Sequence, residues 1–218
     1  MSFLDKWADW LPALLSGLQV SCSVTLTALA VGMPLGLVLA LMRMSKPRLI
    51  RGIAWIVVEV GRGGPAIVVL YLVYFGLPGA GIVFSARLSA ALALGYVAGA
   101  YFSELFRGAI EAVPRAQWAA ADAVGLTYMQ RLRYVILPQA IRIGLPPVVG
   151  LTILIFQATA LVYTISLRDL LARGYDIGSV SYDYLSPLLF VGVVYCTVTM
   201  IGLGFSGLLE RRLGRHLD

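Results

Sequence analysis

Five stretches of this chain contain no Asp, Glu, Lys or Arg: residues 10–42, 63–86, 88–103, 143–167 and 184–209. A helix needs about 20 consecutive apolar residues to cross a hydrocarbon core, and each stretch reaches or nearly reaches that length. Composition agrees, because 60% of the 218 residues are hydrophobic and only 13% are charged, about half the charge of a soluble domain. A soluble globular fold is therefore excluded. The pattern predicts an all-α integral membrane protein, a single membrane domain over residues 1–218, with five transmembrane helices near 18–41, 54–77, 88–108, 143–166 and 185–208. The first run is over-long, and Pro12 and Gly17 predict an interfacial segment ahead of the true span. The third run is short and is expected to continue through Glu104 toward Gly108.

Counting Lys and Arg loop by loop sets the expected orientation. Arg43, Lys46, Arg48 and Arg51 follow the first span. Arg107, Arg115, Arg131, Arg133 and Arg142 lie between the third and fourth, and Arg211, Arg212 and Arg215 form a tail. The opposite side holds only Lys6, Arg87, Arg168 and Arg173. This asymmetry predicts an outside N-terminus and a cytoplasmic C-terminus. The net charge of +6 is thus a topology signal, and nucleic acid is not an expected partner because the basic residues are split among short loops. Asp5, Lys6 and Asp9 leave no basic segment before the first run, so the first span is expected to be retained. Cys22 and Cys196 lie within apolar runs and read as small buried hydrophobes, and His216 reads as a solvated tail residue. No metal-ligand spacing occurs, so neither a metal site nor a catalytic site is expected.

Gly32 with Gly36 and Gly95 with Gly99 are four-residue small pairs that suit close helix packing, within one chain or across a dimer. The runs differ in length and breaker pattern, which disfavours an inverted-repeat carrier in a single chain. The segment between the third and fourth spans, about residues 112–138, is longer than a connector needs to be. Ala119 to Val124 is Ala-rich and helical in propensity, with Gln117 and Asp122 as polar members. Gly125 stands where a helix C-terminus calls for positive φ. Thr127 and Gln130 have capping-box spacing, and Pro138 is expected to end the second helix near Leu137. Two short helices joined by a glycine turn follow. Lys and Arg are missing between Gln117 and Leu126, which favours a protein partner over a lipid surface for this element.

The run Ala116-Gln-Trp-Ala-Ala-Ala-Asp-Ala-Val-Gly125, followed by Ile136-Leu-Pro138-Gln-Ala140, resembles the EAA loop of permease subunits of bacterial ABC importers. More specifically, the chain is similar to the polar amino acid permeases of the histidine and glutamine type. The likeness extends from Gly17 to Thr25 and Gly32 to Gly36, through Gly61-Arg-Gly-Gly-Pro65, to Thr159 and the basic tail. The resemblance implies a type I importer transmembrane domain whose coupling helix, Gln117 to Gly125, docks into a groove of a cytoplasmic ATPase. Gln117, Ala119, Ala120, Ala121, Asp122, Gly125 and Pro138 would carry that contact. It implies as partners two ATP-binding cassette subunits, a second permease subunit in a homo- or heterodimer, an extracytoplasmic solute-binding protein, the lipid bilayer of the inner membrane and a polar amino acid. The chain has no GxxxxGK[ST] run, so no cofactor is expected on it, and ATP with Mg would be used by the partner.

The chain departs from the family pattern at three places. The glutamate that opens the EAA triplet is Ala119, the Arg-Gly-Thr-Pro element reads Arg62-Gly63-Gly64-Pro65, and Lys-Asp-Thr-Ser-Leu reads Gln157-Ala158-Thr159-Ala160-Leu161. These losses also fit a half of a heterodimer that engages substrate less. Ionisable groups within apolar spans mark the candidate pathway, because burying each costs roughly 2.5–3.5 kcal/mol. Glu59 and Arg62 share a helix face and either neutralise each other or leave Arg62 to hold a carboxylate, beside glycines and a proline that open the helix. Glu104 and Arg107 repeat the spacing. They form an interfacial pair or offer Glu104 to an ammonium, as the family's Tyr-x-x-Glu at Tyr101 and Glu104 implies. Thr159 completes the pathway set. Tyr71, Tyr74 and Phe75 read as an interfacial belt, and residues 168–183 as a solvated turn where a binding protein could land. The alternative function is a stand-alone channel or secondary carrier for a small polar solute. An embedded enzyme would need a convergent catalytic set, and one histidine with two cysteines does not supply it.

Overall fold

The computed structural model describes residues 3–214, with side chains described for residues 7–208. Arg215 and His216, in the expected basic tail, lie outside the described residues. All regular structure among them is helical. Four helical stretches are long and apolar enough to cross a membrane, at Trp7–Arg43, Ala86–Glu111, Tyr128–Ile165 and Leu185–Leu208, and a bent pair, Arg48–Gly63 with Ala66–Ala80, brings the total to five.

Helix α1, Phe3–Arg43, runs without a break through Pro12 and Pro34. The segment expected to be interfacial, ahead of residue 18, is therefore continuous with the span as one helix. A proline in a buried apolar helix removes one backbone bond, which neighbouring groups make good. Helix α2, Arg48–Gly63, buries Ala54, Val58 and Gly61, one stripe at helical spacing, and packs Ala54 and Val58 against Leu39 of α1. At Gly64 and Pro65 the backbone is extended, and the segment Ala66–Ala80, which opens with α3, Ala66–Tyr71, leaves at 105° to α2. The second span is therefore broken where the glycines and proline cluster. Beyond α3 the chain widens into a π turn over Leu72–Gly76 and tightens into a 3-10 turn over Leu77–Ala80.

Helix α4, Ala86–Glu111, is the centre of the bundle, and Ser85 caps its start by accepting from the Leu88 N–H at 3.3 Å. Its buried residues are mostly small, including Ala90, Ala93, Gly95, Ala98 and Gly99, so neighbours can approach on several sides. Gly32 meets Ala98 and Gly36 meets Phe102, so α1 and α4 run side by side in the same direction. Gly95 and Gly99 receive Val31 and Leu35 in return. The small-residue pairs thus build a contact within one chain.

Helix α5, Arg115–Ala123, ends at a turn in which Gly125 has φ +75°, the left-handed conformation expected of it. Helix α6, Tyr128–Gln130, carries the expected capping box at Thr127 and Gln130. It does not stop at Leu137. A π turn over Arg131–Ile136 leads directly into α7, Leu137–Ala158, and a 3-10 turn over Thr159–Ile165. Pro138 sits in the first turn of α7, and the Leu137 N–H reaches back to the Leu132 carbonyl. This five-residue reach widens the helix ahead of a residue that cannot donate and whose ring would press on the carbonyl four residues back. The expected short second helix is instead the base of a continuous stretch from Tyr128 to Ile165.

Helix α8, Leu170–Ser181, replaces the expected solvated turn and packs on α1 and α9, Leu185–Gly214, through Leu14, Leu170, Phe190 and Val191. Cys22 and Cys196 lie on exposed helix surfaces rather than in the core, because their apolar runs turn one face away from the bundle.

A Cβ placed on Gly36 would lie 2.5 Å from the Phe102 Cβ and 2.9 Å from the Gly99 carbonyl. Gly36→Val is therefore expected to cost about 1–3 kcal/mol through overpacking. Thermal unfolding in detergent should show a midpoint several degrees lower, while Gly52→Ala, in open space, should leave it unchanged or slightly raised.

Candidate functional site

The close α1–α4 contact brings the end of α1 to the last third of α4. There the Glu104 carboxylate forms an ion pair with Arg43, a second with Arg107 at 2.7 Å and a third with Arg62 at 3.8 Å. Arg62 lies equally far from Glu59, and Arg107 also holds Glu111 at 2.6 Å. Three guanidiniums and three carboxylates thus balance in one network. Glu104 is at its centre, its side chain only 20% exposed, whereas Arg62 and Glu59 are 36% and 44% exposed at its open side.

Both sequence pairs, Glu59 with Arg62 and Glu104 with Arg107, are present, and the fold joins them through Arg62 and Glu104. By sequence Arg43 is only a loop charge that sets orientation. Its role as a partner of Glu104 depends on helix packing across many residues, and no local spacing signals it. Arg62 follows directly on the α2 break. Its carbonyl accepts from the Tyr101 hydroxyl at 3.4 Å, and its guanidinium lies 5.8 Å from the Tyr101 ring centre. The buried Arg62 Nε has no hydrogen-bond partner among the described residues. The network therefore presents a donor-rich guanidinium beside a carboxylate, complementary to a group carrying both charges.

Thr159 does not join this network. It is fully buried, donates to the Phe156 carbonyl at 2.7 Å and sits with Ser21, Asp169 and Tyr195 in a separate polar cluster. Asp169, expected on a solvated turn, is fully buried and caps α8 by accepting from the Ala172 N–H at 2.9 Å. The Tyr195 hydroxyl lies 3.3 Å from the same carboxylate, and the Ser21 hydroxyl accepts from the Leu170 N–H at 3.2 Å. Gln157 donates to Thr199 at 3.1 Å. Tyr71 and Tyr74 pack edge-on against Phe75, with ring centres 5.4 and 4.8 Å away.

The coupling segment forms a second candidate surface. Ala116, Ala119, Ala120 and Ala123 are exposed at i, i+3, i+4 and i+7, so one face of α5 presents methyl groups alone. Gln117 and Asp122 flank it. Asp122 pairs with Arg131 at 2.6 Å and Gln117 accepts from Gln139 at 3.3 Å, which ties α5 to the base of the long α6–α7 stretch. Ala121 faces inward and is buried, so of the expected contact residues it supports the helix and offers no outer surface. Beneath α5, Val113, Trp118, Ile136 and Ala140 form a small core with the end of α4. Pro138 is exposed on α7, past the π turn.

Comparison with known proteins decides the family. Residues 32–215 match the family described as "Binding-protein-dependent transport system inner membrane component". The chain belongs to this family. It is 33% identical over 206 residues to a probable amino-acid ABC transporter permease protein, YckA, of Bacillus subtilis (strain 168), covering 94% of this chain and 91% of that one. The arginine transport system permease protein ArtQ of the same strain is 33% identical over 204 residues, with 93% of both chains covered. The glutamate/aspartate import permease protein GltK of Escherichia coli O157:H7 is 34% identical over 218 residues, covering 94% and 97%. A crystal structure of an amino acid ABC transporter with histidines superposes with a TM-score of 0.92 at 34% identity, covering 97% of this chain and 99% of that chain. A MetNI methionine ABC transporter in an inward-facing form shares the fold, with a TM-score of 0.70 at 19% identity, covering 90% and 96%. The resemblance read from the sequence is thereby met: this is a multi-pass, inner-membrane ABC transporter permease of the amino acid transport type, with the all-helical fold of type I importer subunits.

Burial pushes the Asp169 carboxyl from 3.8 up to about 6, against opposing hydrogen bonds from Ala172, Leu171 and Tyr195. Because the folded-state value is raised, the stabilising contribution is full below about pH 4 and is lost as pH rises through 6. The rise from 3.8 to about 6 corresponds to roughly 3 kcal/mol. Thermal unfolding of the wild type between pH 4 and 7 should therefore show this loss relative to Asp169→Asn, which keeps a capping oxygen but does not titrate there.

Proposed function

We propose that this chain is the translocation subunit of an ATP-driven importer for polar amino acids, and that Arg62 and Glu104 are where the substrate's two charged groups are held. The single observation that carries the reading is the half-open ion network: a free amino acid brings a carboxylate to Arg62 and an ammonium to Glu59 and Glu104. The substrate's charges can enter with little loss at Arg62 and Arg107, since each of these guanidiniums has a second carboxylate, Glu59 or Glu111, beside it when Glu104 turns to the ammonium. The relatives' names, which include arginine and glutamate/aspartate systems, support an amino acid as cargo.

In this reading two copies of the permease, or this chain and a related one, sit on two ATPase subunits and receive cargo from a solute-binding protein outside. The alanine face of α5 seats in an ATPase groove, where small side chains allow close approach. The Asp122–Arg131 pair and the core under Trp118 pass ATPase movement into α4 and the α6–α7 stretch, which exposes the charged network to alternate sides. ATP is bound and hydrolysed on the partner. The N-terminus is outside, and the 43–51 turn and α5 are cytoplasmic.

Two experiments test this. The complex purified through a tag on this chain, in lipid nanodiscs, should hydrolyse ATP faster when a loaded binding protein is added. Gly125→Val, which forces a β-branched residue into φ +75°, should abolish at least nine-tenths of that stimulation. Purification without any ATPase subunit from well-folded material would contradict the reading and favour a stand-alone channel or carrier. For orientation, Lys46→Cys in a Cys22→Ser, Cys196→Ser background should react with a membrane-impermeant maleimide only after cells are permeabilised.

A further inference from the structure

Between the end of α1, the start of α2 and the end of α4 lies a cavity of about 400 Å³ lined by Arg43, Arg48, Arg51, Trp55, Arg107 and Glu111. Arg43 and Arg107 are already matched within the Glu104 network. Arg48 and Arg51 form no ion pair among the described residues and are exposed, so the cavity carries an excess of two positive charges. Their placement is electrostatically unfavourable in the protein alone. Both stand in the first turn of α2, whose helix dipole is positive at that end, and that turn has no acidic residue. The buried Arg107 Nε also has no hydrogen-bond partner among the described residues.

We infer that this cavity binds the phosphodiester headgroup of an anionic glycerophospholipid. Arg48 and Arg51 would hold the phosphate oxygens, and Trp55, 53% exposed, would lie at the level of the glycerol backbone. Leu49, Ile53 and Ile56 continue up the same helix, exposed by 75%, 49% and 57%, and provide an apolar path for acyl chains. A free phosphate ion would use the arginines but not this path, so a lipid matches more of the observed surface. Basic pockets between helices at the membrane's inner edge recognise anionic lipid on this principle. The headgroup would also sit against Arg43 and Arg107, two of the three guanidiniums that hold Glu104. The inference rests on the proposed cytoplasmic placement of the 43–51 turn for the choice of leaflet. Lipid retention in detergent is read without reference to side or to transport, so the two proposals fail separately.

The test is native mass spectrometry of the full-length chain, purified with its partners, in detergent doped with phosphatidylglycerol or phosphatidylcholine. Wild type should retain phosphatidylglycerol at least ten-fold more than phosphatidylcholine. Arg48→Gln with Arg51→Gln should lose that preference, and Arg48→Lys with Arg51→Lys should keep it to within about three-fold. Equal retention by wild type and the glutamine variant would overturn the proposal. So would displacement of the lipid by 10 mM inorganic phosphate, which marks a free-anion site. Loss of the ATPase subunits from the glutamine variant with lipid retention unchanged would overturn it too, since the arginines would then serve a protein contact.

Discussion

The contact between α1 and α4 sets Arg43 against Glu104, the carboxylate at the centre of the candidate site. Gly32 and Gly36 on one helix and Gly95 and Gly99 on the other let the backbones come within reach of each other's Cβ atoms. The parallel packing that results carries Arg43 to Glu104. Dispersion between closely packed surfaces is what holds helices together in lipid, where apolar burial offers no driving force between them. A looser contact would leave Glu104 with Arg107 and Arg62 alone, and Arg43 as an interfacial charge.

Once Glu104 is surrounded by guanidiniums, the remaining geometry follows from the break in the second span. A continuous helix through residues 63–65 would keep Arg62 in a regular ladder with its carbonyl occupied. The extended backbone at Gly64 and Pro65 ends α2 at that point, frees the Arg62 carbonyl for the Tyr101 hydroxyl and turns the chain by 105°. Broken spans at a charged site provide polar backbone where apolar helices provide none. One to two turns beyond Glu104, α4 meets, through Ile110, the small core under α5. One rigid element therefore links the charged network to the surface proposed to receive the ATPase.

Much of this was legible in the sequence because it is local. Charge-free runs, the positive φ needed at Gly125, the Thr127 and Gln130 capping box and the three-residue spacings of Glu59 with Arg62 and Glu104 with Arg107 depend on neighbours within a few residues. What was missed is nonlocal or depends on how the backbone relaxes. Pro138 reads as a helix end, yet the π turn at 131–136 absorbs it, and no sequence rule for that turn is simple. Pro12 marks the start of an apolar run by sequence, and the structure carries it inside α1 without a turn. Asp169 looks like one charge of a balanced loop, but the N-terminus of α8 is pressed against α1 and buries it. The neighbours of Thr159, buried beside Tyr195, are likewise set by contacts between distant helices. Arg43 could have been suspected only from the coincidence that glycine pairs on two helices imply a shared register.

The most direct test of the central claim is equilibrium binding of radiolabelled amino acids to the purified complex in nanodiscs, without binding protein, for wild type, Arg62→Gln and Glu104→Gln. The account predicts saturable binding of a polar amino acid that falls at least ten-fold in each variant, with the complex intact and its ATPase subunits bound. Binding that stays within two-fold of wild type in both variants would contradict it, and the charged network would then be a structural clasp that merely lies beside the pathway.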